Sequence, residues 1–213
     1  MINANPQTYW IKSSDSEGGT GLKGSLFPYW SFTKTVIAIC TLKLREEAIV
    51  DLDAPIDGTA YTLRHLLAHT SGLPDYSHLT EYARAVQAHD VPWARDEMLA
   101  LALSAGLLFE PGQGWSYSNI GYMFVRDAIE AATGQSLGQL VRTMICLPLG
   151  LQSIELASTQ KHFAKLHWAD SASYDPKWVY HGCLIGTGAD AAGVLHGLIS
   201  GDLLRPESVK QMT

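Results

Sequence analysis

Long apolar runs are missing from this chain. The longest, Met98 to Phe109, is broken by Ser104 and Gly106 and is too short to cross a bilayer, so no membrane-spanning helix is expected. Clusters of Lys and Arg are missing as well. The 15 basic residues are outnumbered by 21 acidic ones, and the net charge of −6 makes nucleic acid or an anionic membrane surface a poor partner. Cysteine is scarce. Cys40, Cys146 and Cys183 are odd in number, far apart and set in apolar contexts, which excludes a disulfide framework and a thiolate metal site. They read as small core residues. The first 30 residues lack the basic start and apolar run of a secretory signal, so the chain as it stands reads as cytoplasmic. Internal repeats and low-complexity tracts are also absent.

What is present is enough apolar material for a core: 46% hydrophobic residues against 17% charged ones, in 213 residues. Residues 1–24 are polar and Gly/Ser-rich. They are expected to be a poorly structured segment in which only Tyr9-Trp10-Ile11 suggests an extended piece, ahead of one domain over 25–213. Residues 31–48 predict a helix that is apolar nearly all round (Val36, Ile37, Ala38, Ile39, Cys40, Leu42, Leu44) and therefore internal. Thr62 caps a short helix through Ala68, which Thr70-Ser71-Gly72-Leu73-Pro74 ends. Helices follow near 78–89 and 93–105, with Gly106 as a stop, and over about 120–133, with Asn119 as cap and Gly134 as stop. Another runs to about Cys146 and is ended by Pro148 and Gly150. Residues 177–186 alternate loosely and read as extended. Thr187 and Asp190 have capping-box spacing ahead of a last helix through about Ile199. This is a mostly helical α+β inventory with few strands.

Two short words carry chemistry. Ser31-Phe32-Thr33-Lys34 opens the apolar helix, and Tyr117-Ser118-Asn119 follows a Gly/Pro-rich loop. Serine is a weak nucleophile until a neighbouring base activates it. One helical turn separates Ser31 from Lys34, which puts both on one face. Burial and the positive end of the helix dipole would lower the Lys34 pKa, and the Ser31 N–H could donate to an oxyanion. Tyr117 is the rival base. Asn119 shares its side with Tyr117 in an extended loop, where it could orient Lys34 or a substrate carbonyl. A second S-x-x-K, Ser158-Thr159-Gln160-Lys161, has no apolar helix behind it and reads as surface. His65 and His69 have a spacing that can bind zinc, but no third ligand is evident, and no metal or cofactor is expected. His181 either lines the cleft or is structural. The scattered tryptophans form no stacking pattern for nucleic acid.

These words come in an order. Ser31-Phe32-Thr33-Lys34-Thr35 is followed by Val50-Asp51-Leu52-Asp53-Ala54-Pro55 and by Leu63 to Pro74 (LRHLLAHTSGLP). Then come Glu110-Pro111-Gly112, Tyr117 to Tyr122, Thr133-Gly134, Pro148-Leu149-Gly150 and His181-Gly182. From about residue 26 to the end the chain resembles the β-lactamase-related serine hydrolases: class C β-lactamases, D-alanyl-D-alanine peptidases and esterases of the same fold.

The resemblance implies a β-lactamase/transpeptidase-like fold, an antiparallel sheet flanked by helices with an all-helical subdomain. It implies a Ser31 nucleophile acylated by a small ester or amide substrate, proton transfer by Lys34 and Tyr117, and Asn119 in the hydrogen-bond network. Members of the family are often exported. The family also carries N-terminal strands and a later K-T-G or H-x-G motif beside the nucleophile, and neither is legible here; Gly186-Thr187-Gly188 reads as a helix cap. The expectation is therefore a predominantly helical fragment with its sheet largely incomplete and its C-terminal strands missing. Losing one oxyanion donor typically costs on the order of a hundredfold in rate. An uncovered apolar face would favour self-association. The alternative function is a catalytically inactive helical fragment or binding module of the same descent.

Overall fold

The stretch expected to be apolar on nearly every face forms the central helix. In the computed structural model, which describes residues 8–13, 16–21, 24–56 and 58–212, α1 runs Phe32–Glu46. Val36, Ile37, Ile39, Cys40 and Leu44 are fully buried, so nearly every face of the helix is covered. Thr41, a polar residue in that setting, satisfies its hydroxyl on the Ile37 carbonyl, 2.8 Å away. Among the described residues thirteen more helices or short turns of helix follow α1, and the longer ones carry the site.

Following α1 are α2 (Leu63–Leu67), α3 (Thr80–Gln87), α4 (Arg95–Ala102) and α5 (Asn119–Thr133). Thr62 caps α2 as expected, and Gly134, at φ +68°, ends α5. The α5 cap is Ser118, not Asn119: its Oγ accepts from the Gly121 N–H, and the Asn119 side chain is drawn elsewhere. α4 stops at Ala102, and Gly106 sits in the turn beyond it. Further on, α6 (Leu137–Val141) continues through a wide turn with i→i+5 bonding (Arg142–Cys146) into α7 (Leu147–Leu149). Pro148 therefore does not end the helix. It enters directly after the widened turn, where its missing N–H is absorbed, and the chain stops at Gly150 in the left-handed region. The last helices are α8 (Gln160–Phe163), α9 (Gly188–Ile199) and α10 (Pro206–Val209).

The described strands are β1 (Thr8–Ser13), β2 (Ser16–Thr20), β3 (Leu26–Pro28), β4 (Glu155–Ala157) and β5 (Cys183–Thr187). β5 is the middle of a three-stranded antiparallel sheet, order β3-β5-β4, with Phe27 opposite Gly186 and Leu156 opposite Leu184. Its apolar residues are covered on both sides, and Pro28, which has no N–H to give, lies on an outer strand of the described sheet. Only the second half of the 177–186 stretch is extended; Pro176–Trp178 is a tight helical turn.

The expectation of a poorly structured start is corrected within the described residues. β1 and β2 pair antiparallel, Trp10 opposite Gly18, and β1 packs on α9. Gly18 and Gly19 give no β signal, yet they leave room for the Trp10 and Tyr9 rings. Residues 1–7 lie outside the described residues. Thr187 caps α9 through the Asp190 N–H, but the Asp190 carboxylate does not return the bond. It accepts from the N–H groups of Gln152 and Ser153 and so ties the stretch before β4 to α9. Leu195 and Ile199, one turn apart on α9, are exposed together with Leu147.

One glycine fixes the loop that will matter most. Gly72 has φ +78°, and a methyl group there would run into the Phe109 carbonyl oxygen. Its own carbonyl accepts from the Leu108 N–H at 2.8 Å. Gly72→Ala is expected to cost at least about 1–2 kcal/mol from the left-handed backbone alone, a fall in Tm of roughly 2–8 °C in a chain of this size. Thermal melting checks this; an unchanged Tm contradicts the loop geometry.

Candidate active site

Ser31 stands at the point where the sheet meets α1. The preceding Tyr29 N–H donates to the Leu184 carbonyl at 2.7 Å, and the Leu184 N–H donates to Thr33 Oγ1 at 3.0 Å. The turn that carries Ser31 is thus clamped to β5 from both sides. Between those clamps, Trp30 adopts φ +41°, a left-handed conformation that typically costs about 1–3 kcal/mol in a residue with a side chain. Its indole is held against Phe163 and Tyr174, ring centroids 5.6 and 5.2 Å away. Serine at a helix start usually caps it, but Ser31 is already helical (φ −67°, ψ −16°) and its hydroxyl makes no capping bond. The residue is exposed. The Phe32, Thr33 and Lys34 N–H groups are spent on the Tyr29, Trp30 and Ser31 carbonyls, which leaves the Ser31 N–H as the first-turn donor without a backbone acceptor among the described residues.

Lys34 lies one turn further along α1, with Nζ 3.4 Å from Ser31 Oγ. It is 5% exposed, and this burial pulls its pKa down to about 8; the Asp75 carboxylate opposes part of the fall. The amine also lies 4.9 Å from the centre of the Tyr117 ring and 3.1 Å from His181 Nε2.

Tyr117 arrives from a different part of the chain, and its Oη is 2.8 Å from Ser31 Oγ. The segment His69 to Pro74 holds it there. The Gly112 and Ser116 N–H groups donate to the Thr70 and His69 carbonyls, the Ser118 N–H to His69 Nδ1, and Ser118 Oγ to the Pro74 carbonyl. The His69 ring packs on the Tyr117 ring with centroids 4.6 Å apart. His69 is itself left-handed (φ +59°), and burial together with the nearby Lys34 charge lowers its pKa to about 4, so it is a neutral ring. Burial raises the Tyr117 phenol above its ordinary value, with the Ser31 hydrogen bond acting against that rise. The phenol is therefore protonated at neutral pH.

Asn119 does not reach Lys34. Its Nδ2 donates to both carboxylate oxygens of Asp75, at 3.1 and 2.9 Å. Asp75 is 4% exposed, also accepts from the Ser77 N–H, and lies behind Lys34 as a counter-charge. Sequence reasoning missed Asp75 because its only local sign is a place after Leu-Pro, where it reads as a turn residue. His181 is buried and next to Lys34, which the words themselves did not reveal.

The remaining candidates go elsewhere. Ser158 and Lys161 are exposed, as the second S-x-x-K was expected to be. His65 Nδ1 accepts from the Thr62 N–H in the α2 cap, so His65 and His69 serve separate loops. Among the described residues no group of three or more His, Cys, Asp or Glu is placed to hold a metal ion, and no helix is long and apolar enough to cross a membrane. The three cysteines are free and buried.

Comparison with known proteins gives the family. The model of the family described as Beta-lactamase matches residues 7–213. The chain is 33% identical over 161 residues to a penicillin-binding protein of Bacillus subtilis (strain 168), covering 71% of this chain and 35% of that protein. It is 32% identical over 170 residues to the esterase EstB of Burkholderia gladioli, covering 69% of this chain and 43% of the other. It therefore spans less than half the length of these curated relatives. Among solved structures, a D-stereospecific amidohydrolase from Streptomyces sp. superposes with a TM-score of 0.80 at 24% identity, over 97% of this chain and 71% of that one.

Proposed function

The chain belongs to the Beta-lactamase family, and from that premise we propose that it hydrolyses an ester or amide by acylation of Ser31. Its fold is of the β-lactamase/transpeptidase type, and its family is one of serine hydrolases. One observation carries the proposal: an exposed serine hydroxyl has a buried amine and a phenol, drawn from separate parts of the chain, at 3.4 and 2.8 Å. A capped helix and a polar loop would not need that convergence, so a catalytically inactive module is the less favoured reading.

The protonation states assign the roles. A general base works best with a pKa near the working pH, and Lys34, at about 8, meets that condition while the raised Tyr117 phenol does not. Lys34 in its neutral form takes the proton from Ser31 Oγ as the oxygen attacks the substrate carbonyl. The Ser31 N–H, which has no backbone acceptor among the described residues, donates to the oxyanion. Tyr117, protonated and hydrogen-bonded to Ser31, supplies a proton to the leaving group and regains one from the attacking water in deacylation, while the Lys34 ammonium returns its proton to Ser31 Oγ. Water then hydrolyses the acyl-enzyme with the same groups. Asp75 and Asn119 act behind Lys34: the carboxylate balances its charge, and the amide holds the carboxylate in place.

The substrate class follows from the chemistry of the site and from the relatives: a carboxylic ester, a D-amino acid amide or peptide, or a β-lactam. Acid-quenched mixtures of the chain with p-nitrophenyl acetate, read by intact mass and peptide mapping, test the proposal. The expected result is one acetyl group on the peptide that holds Ser31. Acetyl groups on another residue, or a folded chain that turns over neither this ester nor a D-amino acid amide, overturn it.

A further inference from the structure

We infer that His181 is a positioning residue for Lys34: its Nε2 accepts an N–H of the Lys34 amine and so leaves the amine's lone pair for the Ser31 proton. The inference rests on the reading of Ser31 and Lys34 given above. Its observations are of His181 itself.

His181 is 2% exposed and sits in the turn that enters β5, the same strand that clamps the Ser31 turn. Its Nε2 is 3.1 Å from Lys34 Nζ. While Lys34 is an ammonium it has three donors and no acceptor, so in that form the ring nitrogen at that distance accepts. A ring that accepts at Nε2 and is uncharged carries its proton on Nδ1. The ring is uncharged because it is buried beside two cations, Lys34 and Arg126. Nδ1 is one of two buried side-chain polar atoms with no hydrogen-bond partner among the described residues. Among the described residues the hydrogen bond of this ring is the one to Lys34.

The tautomer decides what Lys34 can do. If Nε2 carried the proton, it would donate to the neutral amine and occupy the lone pair that Ser31 needs. With Nε2 as acceptor, the bonds run in one direction: Tyr117 O–H to Ser31 Oγ, Ser31 O–H to Lys34 Nζ, Lys34 N–H to His181 Nε2. In the acylation step the Ser31 O–H bond breaks and an Nζ–H bond forms. The ammonium produced keeps its N–H to His181, and no proton of the ring moves. The groups that face Lys34 are Ser31 on its own helix, Tyr117 from the loop, Tyr122 from α5, His69 and Asp75 from the segment before α3, and Cys183 next to His181. Of these Asp75 is the group that acts most against the burial of Lys34 and favours its ammonium.

Two measurements on the full chain test this. The first is the 15N spectrum of the histidine-labelled protein. His181 is expected as the Nδ1–H tautomer, unchanged from pH 5 to 9, and an Nε2–H or doubly protonated ring overturns the inference. The second compares His181→Leu with His181→Gln. Leucine cannot accept. It is expected to lower kcat for the activated ester by about 10–100-fold, the scale of a misplaced catalytic group, with KM little changed. It is also expected to move the acid limb of the pH profile to lower pH, because an acceptor that favours the ammonium is gone. Glutamine, whose amide oxygen can accept, is expected to restore much of both. Equal kcat and pH profile in His181→Leu and wild type overturn the inference. Failure of the functional reading looks different: Ser31 takes no acyl group in the wild type, while the Nδ1–H tautomer still supports the contact with Lys34.

Discussion

Ser31→Ala is expected to reduce hydrolysis of an activated ester to the rate without enzyme, a loss on the order of 10³–10⁶-fold, which is the scale seen when the nucleophile of a catalytic unit is removed. The same substitution is expected to leave the fold alone. The Ser31 hydroxyl does not cap α1 and is exposed, so its loss removes no structural hydrogen bond from the helix start. Among the described residues its hydroxyl bonds only with Tyr117 and Lys34. A change of stability within about 0.5 kcal/mol, the usual range for a surface substitution, is therefore expected alongside complete loss of rate. Ser158→Ala, in the exposed second S-x-x-K, should change neither quantity. Initial rates with p-nitrophenyl acetate and melting curves for the three proteins check this. Residual activity in Ser31→Ala above a tenth of wild type contradicts the account.

Lys34→Met carries the second large effect. Methionine fills much of the volume of the lysine stem without a charge, so the buried setting accepts it, while Ser31 loses its base. General-base catalysis is typically worth about 10²–10⁴-fold, and a fall of that size in kcat is expected. The pH profile separates Lys34 from Tyr117. Below its pKa the amine is an ammonium with no lone pair, so wild-type activity should rise with pH through about 8 and fall about tenfold per unit below that. A base at Tyr117 would place the limb above the ordinary phenol value, because burial raises that group. Lys34→Met should abolish the limb near 8. Wild-type activity that climbs only above pH 10, with Lys34→Met unimpaired, would move the role to Tyr117.

The legible parts of this molecule were those fixed by local chemistry. α1 was readable because a helix apolar on nearly every face has nowhere to go but inside, and α2 because Thr62 is a cap with its helix directly behind it. Ser31, Lys34 and Tyr117 could be named from two words, and the structure brings the three together. The parts that were not legible depend on partners distant in sequence. Asn119 looks like a helix cap until Asp75, 44 residues away, takes its amide and leaves the cap to Ser118. Asp75 gains its meaning from the charge of Lys34, which no local pattern reveals. The β1–β2 pair was missed because its glycines, poor in strands by propensity, make room for Trp10 and Tyr9. Pro148 was read as a stop because sequence gives no sign of the widened turn that precedes it. His65 and His69 have a ligand spacing, yet the Nδ1 atom of each ring is committed, to the N–H groups of Thr62 and Ser118.

The central claim is that Ser31 is a nucleophile activated by the groups around it. Its most direct test is the intact mass of the folded chain after incubation with a fluorophosphonate, for wild type and Ser31→Ala. The account predicts a single adduct, mapped to the peptide that holds Ser31 and absent from the variant. A folded wild-type chain that takes no adduct, or takes one on a serine other than Ser31, would contradict it.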